Sequence, residues 1–153
     1  MISFVLLCYS GIAQCMSTKE KAELERIVYY FCQNQQIERK IDQGIFKKSS
    51  EIIFCLLELD SLGKVSNIRL IGDENNKDSA FAILSRIKVS DFKNWKVENC
   101  KQKTVMIPII SLSPTEKPQY VEHFVKPDIF KPGEYGNLII LRKMTFGWIR
   151  SKH

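Results

Sequence analysis

The segment Glu51-Ile-Ile-Phe-Cys-Leu-Leu-Glu-Leu-Asp60 constrains the fold of this chain more than any other. Read as an extended strand, it places Ile53, Cys55, Leu57 and Leu59 on one face, and Ile52, Phe54 and Leu56 on the other before Glu58 and Asp60 turn it acidic. A strand that is apolar on both faces has to be covered on both, which predicts a central position in a sheet. Ser61-Leu62-Gly63-Lys64 follows as a turn in which Gly63 is free to take a positive φ, and Val65–Ile71 returns as the second arm of a hairpin. In that arm Ile68 and Leu70 alternate with Asn67 and Arg69, so one of its faces is wetter.

The hairpin needs an apolar partner, and the sequence offers one. A polar loop, Gly72–Lys77, leads to a helix expected over Ser79–Lys88, capped by Asp78 or Ser79, whose stripe Ala80, Ile83, Leu84 and Ile87, joined by Phe81, lies across the sheet. Phe92 and Trp95 are expected to close the edge of that core. Lys103–Leu112 predicts a third, antiparallel strand. Pro108 within it has no N–H to give to a ladder, which calls for an edge position or a bulge.

Upstream, Ala22, Leu24, Ile27, Val28, Phe31 and Cys32 recur at helical spacing. They predict a helix from Lys19 to about Gln36 with Ser17 or Thr18 as cap and Glu20 within its first turn. Glu38–Ser50 reads as a loop with a short element at Ile45–Phe46. Beyond Pro114, the prolines at 118, 127 and 132 predict an extended segment along the surface, ending in apolar runs at Gly136–Arg142 and Phe146–Ile149 that form one more strand or a short tail. The fold class is therefore α+β: a small antiparallel sheet of hairpin, helix and third strand, with an additional N-terminal helix and an extended C-terminal segment. A chain of 153 residues accommodates this as one domain, expected over 19–153.

Met1–Met16 carries no charge, and Ile2–Ala13 is nearly unbroken apolar sequence. That is the length of an export-signal core and falls short of the roughly 20 apolar residues of a membrane span. Small residues at Ser10, Gly11 and Ala13 precede the polar Ser17-Thr18-Lys19-Glu20. The pattern predicts a signal peptide over 1–15, cleaved near Gln14–Met16, and a periplasmic or secreted product. The basic residue that normally opens such a signal is not found in Met1-Ile2-Ser3, and the competing reading is a buried N-terminal strand or helix. Cys15 raises the further reading of an acylated lipoprotein cysteine, although Gln14 sits where that pattern wants a small residue.

Five cysteines stand at 8, 15, 32, 55 and 100 with no C-x-x-C pair, and their spacing assigns no disulfide. Cys32 and Cys55 lie in apolar surroundings and read as small buried hydrophobes. Cys100, near Lys101 and Lys103, is a candidate thiol of lowered pKa.

Enzyme signatures do not emerge. The two histidines, His123 and His153, are too few for a His-based metal cluster or triad, and no Gly-rich phosphate loop is present. Glu58 and Asp60 read as strand-end charges. No catalytic, cofactor-binding or metal-binding residues are predicted, and no small-molecule substrate is evident. The net charge of +6 is scattered without a basic run, which describes a solvated surface. Phe124, Lys126, Phe130, Lys131, Phe146, Trp148 and Arg150 define the alternative, a cytosolic basic protein that stacks nucleic acid. An exported protein is expected to bind no nucleic acid.

Taken in order, Leu59-Asp-Ser-Leu-Gly-Lys-Val-Ser-Asn-Ile68, the helix from Asp78, Trp95 and Val105-Met-Ile-Pro-Ile109 resemble the C-terminal domain of the TonB family over residues 51–112. The resemblance implies an α+β fold and a binding mode in which a partner's extended segment adds to a sheet edge. The membrane-anchoring helix and proline-rich spacer of an energy transducer have no counterpart here, so it implies fold and binding mode more than energy transduction. The expected partner is an envelope or outer-membrane protein. The expected docking residues flank Pro108 on the third strand: Thr104, Val105 and Met106 before it, Ile109, Ile110 and Ser111 after it. The competing reading is that Leu138–Leu141 already covers this edge. No transmembrane helix is expected.

Overall fold

Ser17 opens the first helix by a reciprocal cap. Its hydroxyl accepts from Glu20 N–H at 3.2 Å while the Glu20 carboxylate accepts from Ser17 N–H at 2.7 Å, fixing the first turn from both sides. This helix, α1, spans Thr18–Asn34 and buries Leu24, Val28 and Cys32 along one stripe. The computed structural model describes residues 14–37, 40, 43, 50–75, 77–112 and 131–146. The short element expected at Ile45–Phe46 lies outside them.

Strand β1, Glu51–Leu59, pairs antiparallel with β2, Val65–Ile71, and on its other side with β3, Thr104–Ser111. It is central, as its two apolar faces require. Ile53, Cys55, Leu57 and Leu59 join the main core with Val105, Ile107 and Ile109 of β3. On the opposite face Leu56 and Ile110 are buried and Ile52 is part-buried. The hairpin turn is built from one residue. Asp60 Oδ1 accepts from Leu62 N–H at 2.8 Å and Lys64 N–H at 2.9 Å, and Gly63 takes φ +75°. Those bonds hold the Asp60 carboxyl below its ordinary value, the Lys64 N–H bond being the largest cause.

β2 and β3 are both antiparallel to β1, so the chain between them must cross over the sheet. The crossing contains helix α2, Ala80–Leu84, and a 3-10 turn, Val89–Phe92. The helix is shorter than the Ser79–Lys88 expected, ending in a turn at Ser85–Arg86. The stripe nevertheless packs as its spacing predicts, with Ala80, Phe81, Ile83, Leu84 and Ile87 all in the core. Ser79 is the cap, accepting from Ala82 N–H at 3.2 Å, and Glu51 Oε2 accepts from Ala80 N–H at 3.1 Å, tying α2 to the start of β1. Phe92 and Trp95 are buried, and Trp95 Nε1–H donates to Glu20 O at 3.1 Å, pinning this crossover to α1.

Among the described residues the sheet has six strands and is mixed, where an antiparallel one was expected. Three short C-terminal strands complete it: β4, Gly133–Tyr135; β5, Leu138–Ile140; and β6, Met144–Phe146. β4 and β5 form an antiparallel hairpin across Gly136-Asn137. Both β5 and β6 lie parallel to β3 on the side away from β1, β5 against Thr104–Met106 and β6 against Ile109–Ser111. They are two halves of one interrupted strand.

The interruption sits where Pro108 requires it. Leu59 N–H donates to Lys103 O, so odd-numbered residues of β3 turn their backbone groups toward β1. The even-numbered ones face the C-terminal strand, as the bonds Thr104 N–H to Asn137 O, Leu141 N–H to Met106 O and Leu112 N–H to Phe146 O attest. Pro108 therefore presents its hydrogen-free nitrogen to β5 and β6, at the gap between them. There the register advances three residues on β3 and four on the other side, from Met106↔Ile140 to Ile109↔Met144. Of the two options for Pro108, the ladder takes the bulge and not the edge.

Candidate functional site

The six residues expected to dock a partner strand are placed in an interior strand. Thr104, Val105 and Met106 pair with β1 on one side and β5 on the other; Ile109, Ile110 and Ser111 pair with β1 and β6. Their backbone groups are committed on both sides, and Val105, Ile109, Ile110 and Ser111 are buried. The coverage by Leu138–Leu141 is the arrangement that holds. The physical reason is that an edge strand this apolar is better buried under another strand than left to water.

The outer strands at the two ends of the sheet are β2 and the three-residue β4, and β2 is the longer. Its residues 67, 69 and 71 face β1, leaving the backbone groups of Ile68 and Leu70 to point away from the sheet, while Ser66 is the extra residue of a bulge and its hydroxyl donates to Glu58 O at 3.0 Å. One of these donors is already occupied, since Ile68 N–H gives its hydrogen to Asn67 Oδ1 at 2.9 Å, while Asn67 Nδ2–H donates to Glu58 Oε2 at 3.1 Å. Exposed Ile71 ends the strand.

A second surface lies on α1. A shallow cleft of about 500 Å³ runs between the helix and the Val89–Phe92 turn, with Ile27, Tyr30 and Phe31 supplying apolar wall and Arg26, Asn34 and Asp91 the polar rim. Beside it Tyr29 stacks on Phe146, ring centroids 6.0 Å apart. Phe146 is buried in the core, which removes it from the nucleic-acid stacking set; Lys131 is exposed, and the other five members of that set lie outside the described residues.

The densest cluster of polar chemistry surrounds the N-terminal end of the described chain. Cys15 is joined by a disulfide to Cys100, 85 residues away, with 5.2 Å between the Cα atoms. Glu134 of β4 accepts from Cys15 N–H at 2.9 Å and from Met16 N–H at 3.2 Å. Lys21 and Lys103 stand 3.8 and 4.0 Å from the same carboxylate, which is only 6% exposed. Burial by itself would raise the Glu134 carboxyl; the two N–H bonds and the two ammonium groups together outweigh it and hold the group below its ordinary value. Sequence reasoning missed this cluster, because nothing in the spacing of Cys15, Cys100 and Glu134 relates them. It also read Cys100 as a candidate reactive thiol, a role the disulfide removes.

Cys32 and Cys55 are the free cysteines among the described residues, and both are buried. Burial, with the neighbouring Cys55 adding to it, pushes the Cys32 thiol up to about 12, and burial alone does the same for Cys55. Both are inert hydrophobes in practice. Among the described residues no group of three or more His, Cys, Asp and Glu side chains is placed to hold a metal ion, and no helix is long and apolar enough to cross a membrane. His123 and His153 lie outside those residues. Compared with protein-family models, curated proteins and solved structures, the chain matches none.

Proposed function

We propose that this chain is a non-enzymatic extracytoplasmic binding module, resembling a TonB C-terminal domain, that engages an envelope or outer-membrane protein by edge-strand addition. The observation that carries the compartment is the Cys15–Cys100 disulfide. Such bonds persist in the periplasm and outside the cell and are rare where the thiol pool is reducing. The same bond weighs against the alternative of a cytosolic nucleic-acid-binding protein.

The docking strand in this reading is β2, since β3 is paired on both sides and β4, at the other end of the sheet, has only three residues against the seven of β2. A partner strand would bond to the outward groups of Ile68 and Leu70. Asn67 guards that edge in the free protein by holding the Ile68 N–H, and it must swing away for a partner to enter.

Fusing residues 1–20 to a reporter tests the compartment, and a reporter that stays inside the cell defeats the reading. Capture from envelope extract tests the edge. Leu70 sits opposite Cys55 in a pair that exchanges no backbone bonds, so Leu70→Pro removes an outward N–H and no bond to β1; it is expected to abolish capture of any partner that the native chain and Leu70→Ala both retain. Undiminished capture would rule β2 out.

A further inference from the structure

We infer that the chain is matured by cleavage of the Ala13–Gln14 bond, a step that rests on the export reading above. The site follows from two independent constraints that meet at one peptide bond.

The first constraint is the fold. Cys15 supplies half of the disulfide, its N–H and that of Met16 are both held by Glu134, and the Met16 side chain is fully buried in the main core. Removal of residues 1–15, the boundary the sequence pattern alone predicts, would delete half of the disulfide and one of the two N–H donors to a buried carboxylate. Cleavage between Gln14 and Cys15, as in a lipoprotein, requires the Cys15 sulfur to carry the lipid, and that sulfur is bonded to Cys100. The cut therefore lies before Gln14, which is exposed and keeps its side-chain oxygen on the Lys21 ammonium at 3.2 Å.

The second constraint is the sequence ahead of that point. Export signals end in small residues at the last position and two before it. Gly11-Ile12-Ala13 meets this at the end of the apolar run Ile2–Ala13. Water adds across the Ala13–Gln14 amide under an envelope signal peptidase, leaving a carboxylate on Ala13 and an ammonium on Gln14. Oxidation of Cys15 and Cys100 by an oxidised dithiol oxidoreductase then gives the disulfide, the two electrons and two protons passing to the oxidant.

The full chain is expressed in a Gram-negative host, and the envelope fraction is analysed by mass spectrometry of its N-terminal peptide without reduction. The expected product starts at Gln14 and carries the Cys15–Cys100 bridge. Gly11→Leu and Ala13→Leu each abolish this product, whereas Ile12→Ala and Cys15→Ser leave the cleavage position unchanged. A product starting at Cys15 with an attached lipid, or at Met16 or beyond, overturns the assignment, as does an exported chain that keeps residues 1–13. A chain that stays inside the cell with Met1 in place overturns the export reading and this inference with it.

Discussion

The two hairpins at opposite ends of the sheet are held together by different means. In β1–β2 the instructions are local. Asp60 organises its own turn by accepting from Leu62 and Lys64, and Glu58 is bonded by Asn67 opposite it. Strands of nine and seven residues then extend the ladder. In β4–β5 each strand has three residues, and the hairpin is secured from outside itself. Glu134 is gripped by the backbone of Cys15 and Met16 and flanked by Lys21 and Lys103, and the Cys15–Cys100 bond fixes the segment that does the gripping. A three-residue hairpin has too little ladder to stand alone, so it depends on the pairing of β5 with β3 and on this clamp.

The comparison breaks most visibly if the clamp is opened. Closing a loop across 85 residues corresponds to about 4–5 kcal/mol in the chain-entropy account of disulfides, so Cys15→Ala should cost up to about that amount. Hydrogen exchange is the informative readout. Amides of β4 and β5 should lose protection well before those of β1 and β2, and an equal loss at both ends would show that the clamp is not local to the C-terminal hairpin.

The turn of the first hairpin is the next largest effect. Gly63 has φ +75°, and a Cβ placed on it would lie 1.7 Å from Val97 O, on backbone that Val97 N–H already ties to Gly63 O at 2.9 Å. Gly63→Ala thus meets both an unfavourable dihedral and a backbone collision, and should cost about 2–4 kcal/mol, measured by denaturant midpoint. A cost below about 1 kcal/mol would mean that the Trp95–Val97 segment yields easily.

How far the sequence carried the fold follows the same division. The span from Glu51 to Ser111 was legible: strand limits matched to within a residue, the Gly63 turn was placed, and Leu84 lies fully buried where its stripe puts it. Each of those features is written in residues that are neighbours along the chain. The C-terminal strands were not resolved into their parts. Three-residue strands show too little alternation to declare themselves, although Gly136-Asn137 between Tyr135 and Leu138 is a two-residue hairpin signal that was there to be read. Pro108 was read as one of two possibilities because the sequence does not state which neighbour its nitrogen faces. The clamp at Glu134 was illegible for a stricter reason, since Cys15 and Met16 lie 119 and 118 residues from Glu134 and no local rule joins them.

Glu134 sharpens the contrast by pH. Its folded carboxyl sits below the ordinary 4.5, so the stability it contributes is complete above that value and is lost as the pH falls through the depressed folded value. Glu134→Gln leaves one N–H facing an amide nitrogen and removes the charge, at a cost of about 2 kcal/mol near neutral pH. The variant should also lack the part of the acid sensitivity that comes from this group, so native and variant denaturant midpoints should converge as pH is lowered from about 7 toward about 3. Parallel curves would show that the carboxylate is not what Cys15 and Met16 depend on.

The smallest expected effect is at the second turn. Gly136 has φ +59°, close to the value at Gly63, but a Cβ there would meet nothing within 4 Å. With the collision absent, Gly136→Ala isolates the dihedral term, about 1 kcal/mol, which in a domain of this size lowers the melting temperature by about 2–4 °C. The pair of glycines therefore separates two costs that Gly63 combines: the difference between Gly63→Ala and Gly136→Ala is the contribution of the contact with Val97. If the two substitutions cost the same, the close approach at Gly63 contributes nothing, and the first hairpin owes its register to Asp60 alone.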